Sequence, residues 1–175
     1  MRVDSMQKKI AAAALFAVLA AVAGLIEGML PLSLVLPLPG VKLGLANVFI
    51  TAAFVLLGAK YAAWVMLGRV LVVFLFAGNP YAFVLSLVGG CCSFAGLMIA
   101  VPHVGKRVSY IGVSALSAAF HGIGQIVAAT VFVGRPALSY LPVLGLACTG
   151  MGVLCGVLMN LFLHLVLKEG ARHAD

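Results

Sequence analysis

Six long apolar runs, at residues 10–29, 41–57, 61–76, 82–101, 111–133 and 142–167, leave this chain very few ways to fold. A helix needs about 20 mostly apolar residues, within a range of roughly 17–25, to cross the hydrocarbon of a bilayer. Inside hydrocarbon the backbone must satisfy its own polar groups, so runs of this kind become helices. The breaks between them carry proline, glycine or charge: residues 31–40, Gly58-Ala59-Lys60, Ala77-Gly78-Asn79-Pro80, residues 102–110 and Gly134-Arg135-Pro136. Only 9% of the residues are charged and 65% are hydrophobic, whereas a soluble domain carries about 25% charged residues. The pattern predicts an all-α integral membrane protein, a single membrane domain over residues 1–175 with six transmembrane helices. The break at Gly58–Lys60 is the thinnest, and fusion of the second and third runs into one bent element is the alternative to six.

The basic residues orient the bundle. With the N-terminus inside, Arg2, Lys8, Lys9, Lys60, Lys106, Arg107, Lys168 and Arg172 fall on the cytoplasmic side, and only Lys42 and Arg135 on the outer side. That asymmetry follows the positive-inside rule and places both termini in the cytoplasm. The net charge of +7 is thus a topology signal and gives no reason to expect a nucleic-acid partner. The first run has a basic start and Ala21-Val22-Ala23 before Gly24, as a secretory signal does, but its length and its place in the charge pattern make it a retained helix. The four cysteines, Cys91, Cys92, Cys148 and Cys155, lie within runs and form no C-x-x-C pair, so they are read as small packing residues with no metal. These 175 residues have no room for a nucleotide-binding fold beside six spans. An ATPase, if one is used, is a separate subunit.

Against this background the polar residues stand out. Lys42 and Asn47 sit at the mouth of the second run, and Arg69 lies about nine residues into the third, near mid-membrane. Such groups need a partner or a polar cavity. The only acid within a run is Glu27, roughly 10 Å from Arg69 in depth at about 1.5 Å per residue. Arg69 therefore either pairs with Glu27 or faces a ligand. In the fifth run Ser114, Ser117, His121 and Gln125 fall within an arc of roughly 80° on one helical face. For the serines a seam between helices is the simpler reading, and for His121 and Gln125 a cavity wall. Lys42 and Arg135 at the outer mouth would favour an anionic or phosphate-bearing ligand. Asn160 and His164 near the end of the last run read as bridges between helices, and Asn79-Pro80-Tyr81 as a turn. Small residues recur at Ala13, Ala17 and Ala21 and at Gly152 and Gly156, a spacing that lets helix backbones approach closely. The alanine stripe could dock another membrane subunit or pack inside the bundle.

The run Pro39-Gly40-Val41-Lys42-Leu43-Gly44-Leu45-Ala46-Asn47 resembles the most distinctive block of the Gx transporter family, often labelled heptaprenyl diphosphate synthase component I. Arg69 and the segment from Gly112-Val113-Ser114 to His121-Gly122-Ile123-Gly124-Gln125 agree with that family's later blocks, except that Gly122 stands where asparagine is usual. The family is similar to the S components of energy-coupling-factor vitamin transporters. The resemblance implies an S-component-like bundle in the plasma membrane of a prokaryote, with a ligand pocket open to the outer side. It implies substrate-binding roles for Lys42, Asn47, Arg69, His121 and Gln125, and a partner-docking role for Ala13, Ala17 and Ala21. Several relatives are associated with flavin transport, so a flavin of the riboflavin, FMN or FAD type is the implied cargo, with no covalently bound cofactor.

The synthase label can be weighed against chemistry. Prenyl chain elongation holds diphosphate through magnesium on carboxylate clusters. This chain has four acids, Asp4, Glu27, Glu169 and Asp175, scattered along the sequence, so it is not expected to be an enzyme. The expected function is a membrane transporter, or its substrate-binding component, for a small cofactor or vitamin. The expected partners are the lipid bilayer, the small-molecule ligand, and either energy-coupling ATPase and membrane subunits or a second copy of the chain. The alternative is a non-catalytic membrane subunit associated with a prenyl diphosphate synthase.

Overall fold

A computed structural model describes residues 5–29, 40–105 and 108–172, with side chains through residue 161. Six helices follow in order: α1 (Met6–Met29), α2 (Asn47–Leu57), α3 (Ala59–Ala77), α4 (Pro80–Ala100), α5 (Tyr110–Val133) and α6 (Leu141–Arg172). Short 3-10 turns, Val101–His103 and Arg135–Tyr140, lead out of α4 and into α6. Among the described residues five helices or helix–turn units are long and apolar enough to cross a membrane, and α2 is too short. Large apolar side chains such as Leu15, Val18, Val22, Leu71, Leu75, Val127, Val131 and Leu154 point outward. Such a surface suits lipid tails and would be a liability in water. The all-α membrane bundle expected from the sequence is the fold that forms.

The second apolar run departs from expectation. A helix was predicted from residue 41, but α2 begins only at Asn47. The cause is local: Gly40 and Gly44 take φ of 76° and 97°, a left-handed conformation that interrupts any helix and that glycine alone enters cheaply. At ~1.5 Å per residue α2 spans only about 16 Å, against about 30 Å of hydrocarbon. Ala17 packs over Gly68, and Gly24 lies beside Arg69 and Val73, so α1 and α3 run parallel. The chain must therefore return from the end of α1 to the start of α3. Residues 40–57 complete that return, first as coil and then as helix. Gly58 alone separates α2 from α3, its N–H closing α2 on the carbonyl of Phe54 at 3.1 Å, so the thinnest break is a real one.

Helix α5 is the centre of the bundle, packed along α4 on one side and α6 on the other and touching α2. The glycine pair of α6 makes the second contact possible. A Cβ on Gly152 would fall 2.6 Å from that of Ala118, and one on Gly156 2.6 Å from Cα of Ile111. Gly122 is explained in the same way, since a side chain there would press on Cys148 Sγ at 3.2 Å. In α1, Ala13 and Ala21 are buried within the bundle and Ala17 packs over Gly68. Within the bundle these alanines let α1 lie close to the chain's own helices. Lys8, Lys9 and Lys60 mark one end of the bundle, where α1 and α3 start, while Lys42 and Arg135 lie toward the other. Arg2, Pro39, Lys106 and Arg107, with the side chains of His164, Lys168 and Arg172, lie outside the described residues.

Candidate ligand site

The coil at residues 40–46 is buried, and buried coil leaves backbone groups that no helix satisfies. Two side chains take over that task. Gln125 of α5 accepts from the backbone N–H of Lys42 at 2.8 Å and donates to the Lys42 carbonyl at 2.6 Å. Its amide thus pairs with the backbone much as a neighbouring strand would. Glu27 of α1 accepts through Oε1 from the N–H groups of Gly44, at 2.6 Å, and Leu45, at 3.4 Å. Gly40 fits against α4 because it lacks a side chain; a Cβ there would meet that of Ala82 at 2.9 Å. The coil is fixed on three sides by α1, α4 and α5.

Fixing the coil shapes a cavity of about 470 Å³ between it, the C-terminal ends of α1 and α3, and the start of α4. The cavity lies at the end of the bundle that the charge pattern assigns to the outer side. Gly24, Glu27 and Gly28 come from α1, Lys42 from the coil, Val70, Val73 and Phe74 from α3, and Asn79, Phe83 and Ser86 from the α4 side. Phe74 and Phe83 pack against each other in the wall, ring centroids 4.7 Å apart. Asn79 caps α4, accepting from the N–H of Ala82 at 3.2 Å. The wall is apolar with a few polar groups, the usual make-up of a small-molecule site.

The five residues expected at the site are distributed unevenly around this cavity. Lys42 lines it, and its Nζ donates to the carbonyl of Gly24 at 3.2 Å. Arg69 is fully buried behind Gly24: its Nε lies 3.5 Å from the point where a Cβ on Gly24 would sit. None of its three nitrogens has a hydrogen-bond partner among the described residues, so no bonded Arg69–Glu27 pair forms. Asn47 and His121 meet on the far side of the coil at Gly44, where a Cβ would lie 2.8 Å from Asn47 Nδ2 and 3.4 Å from His121 Cδ2. Both are buried without partners among the described residues, as is Thr51 Oγ1 one turn further along α2. Gln125 gives both ends of its amide to Lys42, a use for it that the helical periodicity of α5 did not suggest. Arg135, expected at the outer mouth, is exposed and away from the cavity wall.

The seam reading holds for Ser117, whose hydroxyl meets that of Ser93 in α4 at 2.7 Å. Ser114 is buried against Gly156 of α6. Asn160 is exposed near the opposite end and borders a smaller recess with Ser109 and Tyr110. Residues missed in the sequence include Gly24, Ser86, Phe74 and Phe83, which in a mostly apolar chain carry no signal of their own. The anchoring role of Glu27 had one available clue, its being the only acid in any apolar run.

Residues 16–162 match the family model described as heptaprenyl diphosphate synthase component I. No curated protein and no solved structure matches the chain. The matched stretch runs from the middle of α1 to about two-thirds of the way along α6 and takes in the coil, the cavity and every buried polar residue named above. The chain is a membrane protein of apolar helices, and it belongs to the heptaprenyl diphosphate synthase component I family.

Proposed function

We propose that this protein is the substrate-binding component of a membrane transport system and holds a small cofactor-like molecule in the cavity beside Lys42. The cavity itself carries the reading. Its volume of about 470 Å³ falls within the roughly 300–1,000 Å³ of small-molecule sites. Its aromatic pair suits a flat ring, and the resemblance seen in the sequence puts a flavin first among ligands. In this reading Lys42 contacts the ligand directly, Asn47 and His121 support the coil from beneath, and Gln125 sets its position. The family's description favours a second reading, a non-catalytic membrane subunit working beside a prenyl diphosphate synthase.

Thermal-shift and native mass-spectrometric screening of the purified protein against riboflavin, FMN, FAD, thiamine and other vitamins tests the proposal. Saturable stabilisation by one of them is the expected result. Binding of a non-flavin changes only the cargo, whereas no binding at all rejects the transport reading. Lys42→Ala, Asn47→Ala and His121→Ala should each weaken binding while the protein stays folded. Copurification separates the modes of action. Recovery of an ATPase indicates a coupled importer, uptake by the pure protein in liposomes a stand-alone carrier, and recovery of a prenyl synthase the second reading.

A further inference from the structure

We infer that the ligand of this cavity carries a compact oxyanion, a phosphate or a carboxylate, which Arg69 and Lys42 receive together across Gly24. The inference rests on the transport reading and deepens it by naming a chemical class. Arg69 is fully buried, and its Nε, Nη1 and Nη2 all lack an acceptor among the described residues. A guanidinium stays charged and carries five donors, and in a membrane protein it needs an anion, a carbonyl cluster or water. Glu27 does not supply the anion. Its Oε1 is taken by Gly44 and Leu45 and its Oε2 has no partner among the described residues.

Gly24 stands between the cavity and Arg69. It lines the cavity, and the point where its side chain would begin is 3.5 Å from Arg69 Nε and 4.0 Å from Lys42 Nζ. The missing side chain therefore brings the cavity wall within van der Waals range of both cations. Lys42 uses one donor on the Gly24 carbonyl, which leaves two for a ligand. Two cations against one carboxylate leave a positive balance. An oxyanion with two or three oxygens matches this donor set in number and sign.

Matched pairs that differ only in the anionic group provide the test: FMN with riboflavin, pyridoxal 5′-phosphate with pyridoxal, and pantothenate with panthenol. Dissociation constants are measured on the purified wild type, Arg69→Met and Gly24→Ala. In at least one pair the anionic member should bind roughly 10- to 100-fold more tightly, the usual strength of charge-assisted hydrogen bonds, and Arg69→Met should erase that preference. A preference for the phosphate pairs over pantothenate, or the reverse, identifies the oxyanion. Gly24→Ala, which sets a methyl 3.2 Å from Val73 Cγ2 and 3.5 Å from Arg69 Nε, should reduce binding of the anionic member more than of the neutral one. It serves alone if Arg69→Met does not fold. Equal binding within every pair, or a preference that survives both substitutions, overturns this inference and leaves the transport reading standing. Binding by none of the six molecules overturns this inference, and it overturns the transport reading as well only when the wider vitamin screen is also negative.

Discussion

Gln125 and Arg69 are both fully buried polar side chains, on α5 and α3, and the bundle uses them in opposite ways. Gln125 commits both ends of its amide to the backbone of Lys42. Arg69 commits none of its nitrogens to any described residue. Burial of a polar group is costly in each case, but only Gln125 recovers the cost inside the fold. The difference separates scaffold from site. A residue whose polar atoms are all satisfied internally holds the coil in place, and one whose atoms are left over is available to something that arrives from outside.

The largest expected effect breaks the satisfied side of this contrast. Gln125→Leu keeps the volume close but strands the N–H of Lys42 in a buried coil and leaves its carbonyl only the weak contact from Cys148 Sγ at 3.8 Å. The orphaned N–H costs about 1–3 kcal/mol and the weakened carbonyl adds part of as much again, so a loss of roughly 2–5 kcal/mol follows, and the cavity should be lost with the coil. Reversible unfolding in detergent would show it. If stability falls by less than about 1 kcal/mol, the amide is not the anchor that the geometry indicates.

The same contrast explains what could be read from the sequence and what could not. Helix number was legible because apolar runs and glycine breaks are local signals. The start of α2 was not, since Val41 and Leu43 are as apolar as any helix residue. Only the left-handed glycines at 40 and 44 turn that stretch into coil. Periodicity found the polar face of α5 but could not divide it. Ser117 bonds α4, Gln125 bonds the coil, and His121 meets Asn47 through Gly44. These assignments depend on which helices neighbour α5, a tertiary fact.

A smaller effect of opposite sign tests the unsatisfied side. Without ligand, Arg69→Met replaces an unpaired buried charge with an apolar chain of similar length. It should leave stability unchanged or raise it by roughly 1 kcal/mol, as replacement of buried ionic groups by hydrophobic ones often does. Unfolding midpoints of the ligand-free proteins give the answer. A marked loss of stability would make Arg69 a scaffold residue like Gln125 and remove the contrast.

The smallest expected effect lies between these extremes, at Ser117. Its hydroxyl is satisfied, as Gln125 is, but by another side chain, Ser93, at 2.7 Å and more distantly by the Ser93 carbonyl at 3.3 Å. After Ser117→Ala the Ser93 hydroxyl can still turn to a carbonyl within its own helix, as Thr149 does toward Gly145 in α6 at 2.7 Å. No backbone group is stranded. The loss should be near the roughly 0.6 kcal/mol average for such bonds between membrane helices, with ligand affinity unchanged because Ser117 is remote from the cavity wall. A loss as large as that of Gln125→Leu would mean that burial alone sets the cost. A small one would mean that what counts is whether a backbone group is left without a partner.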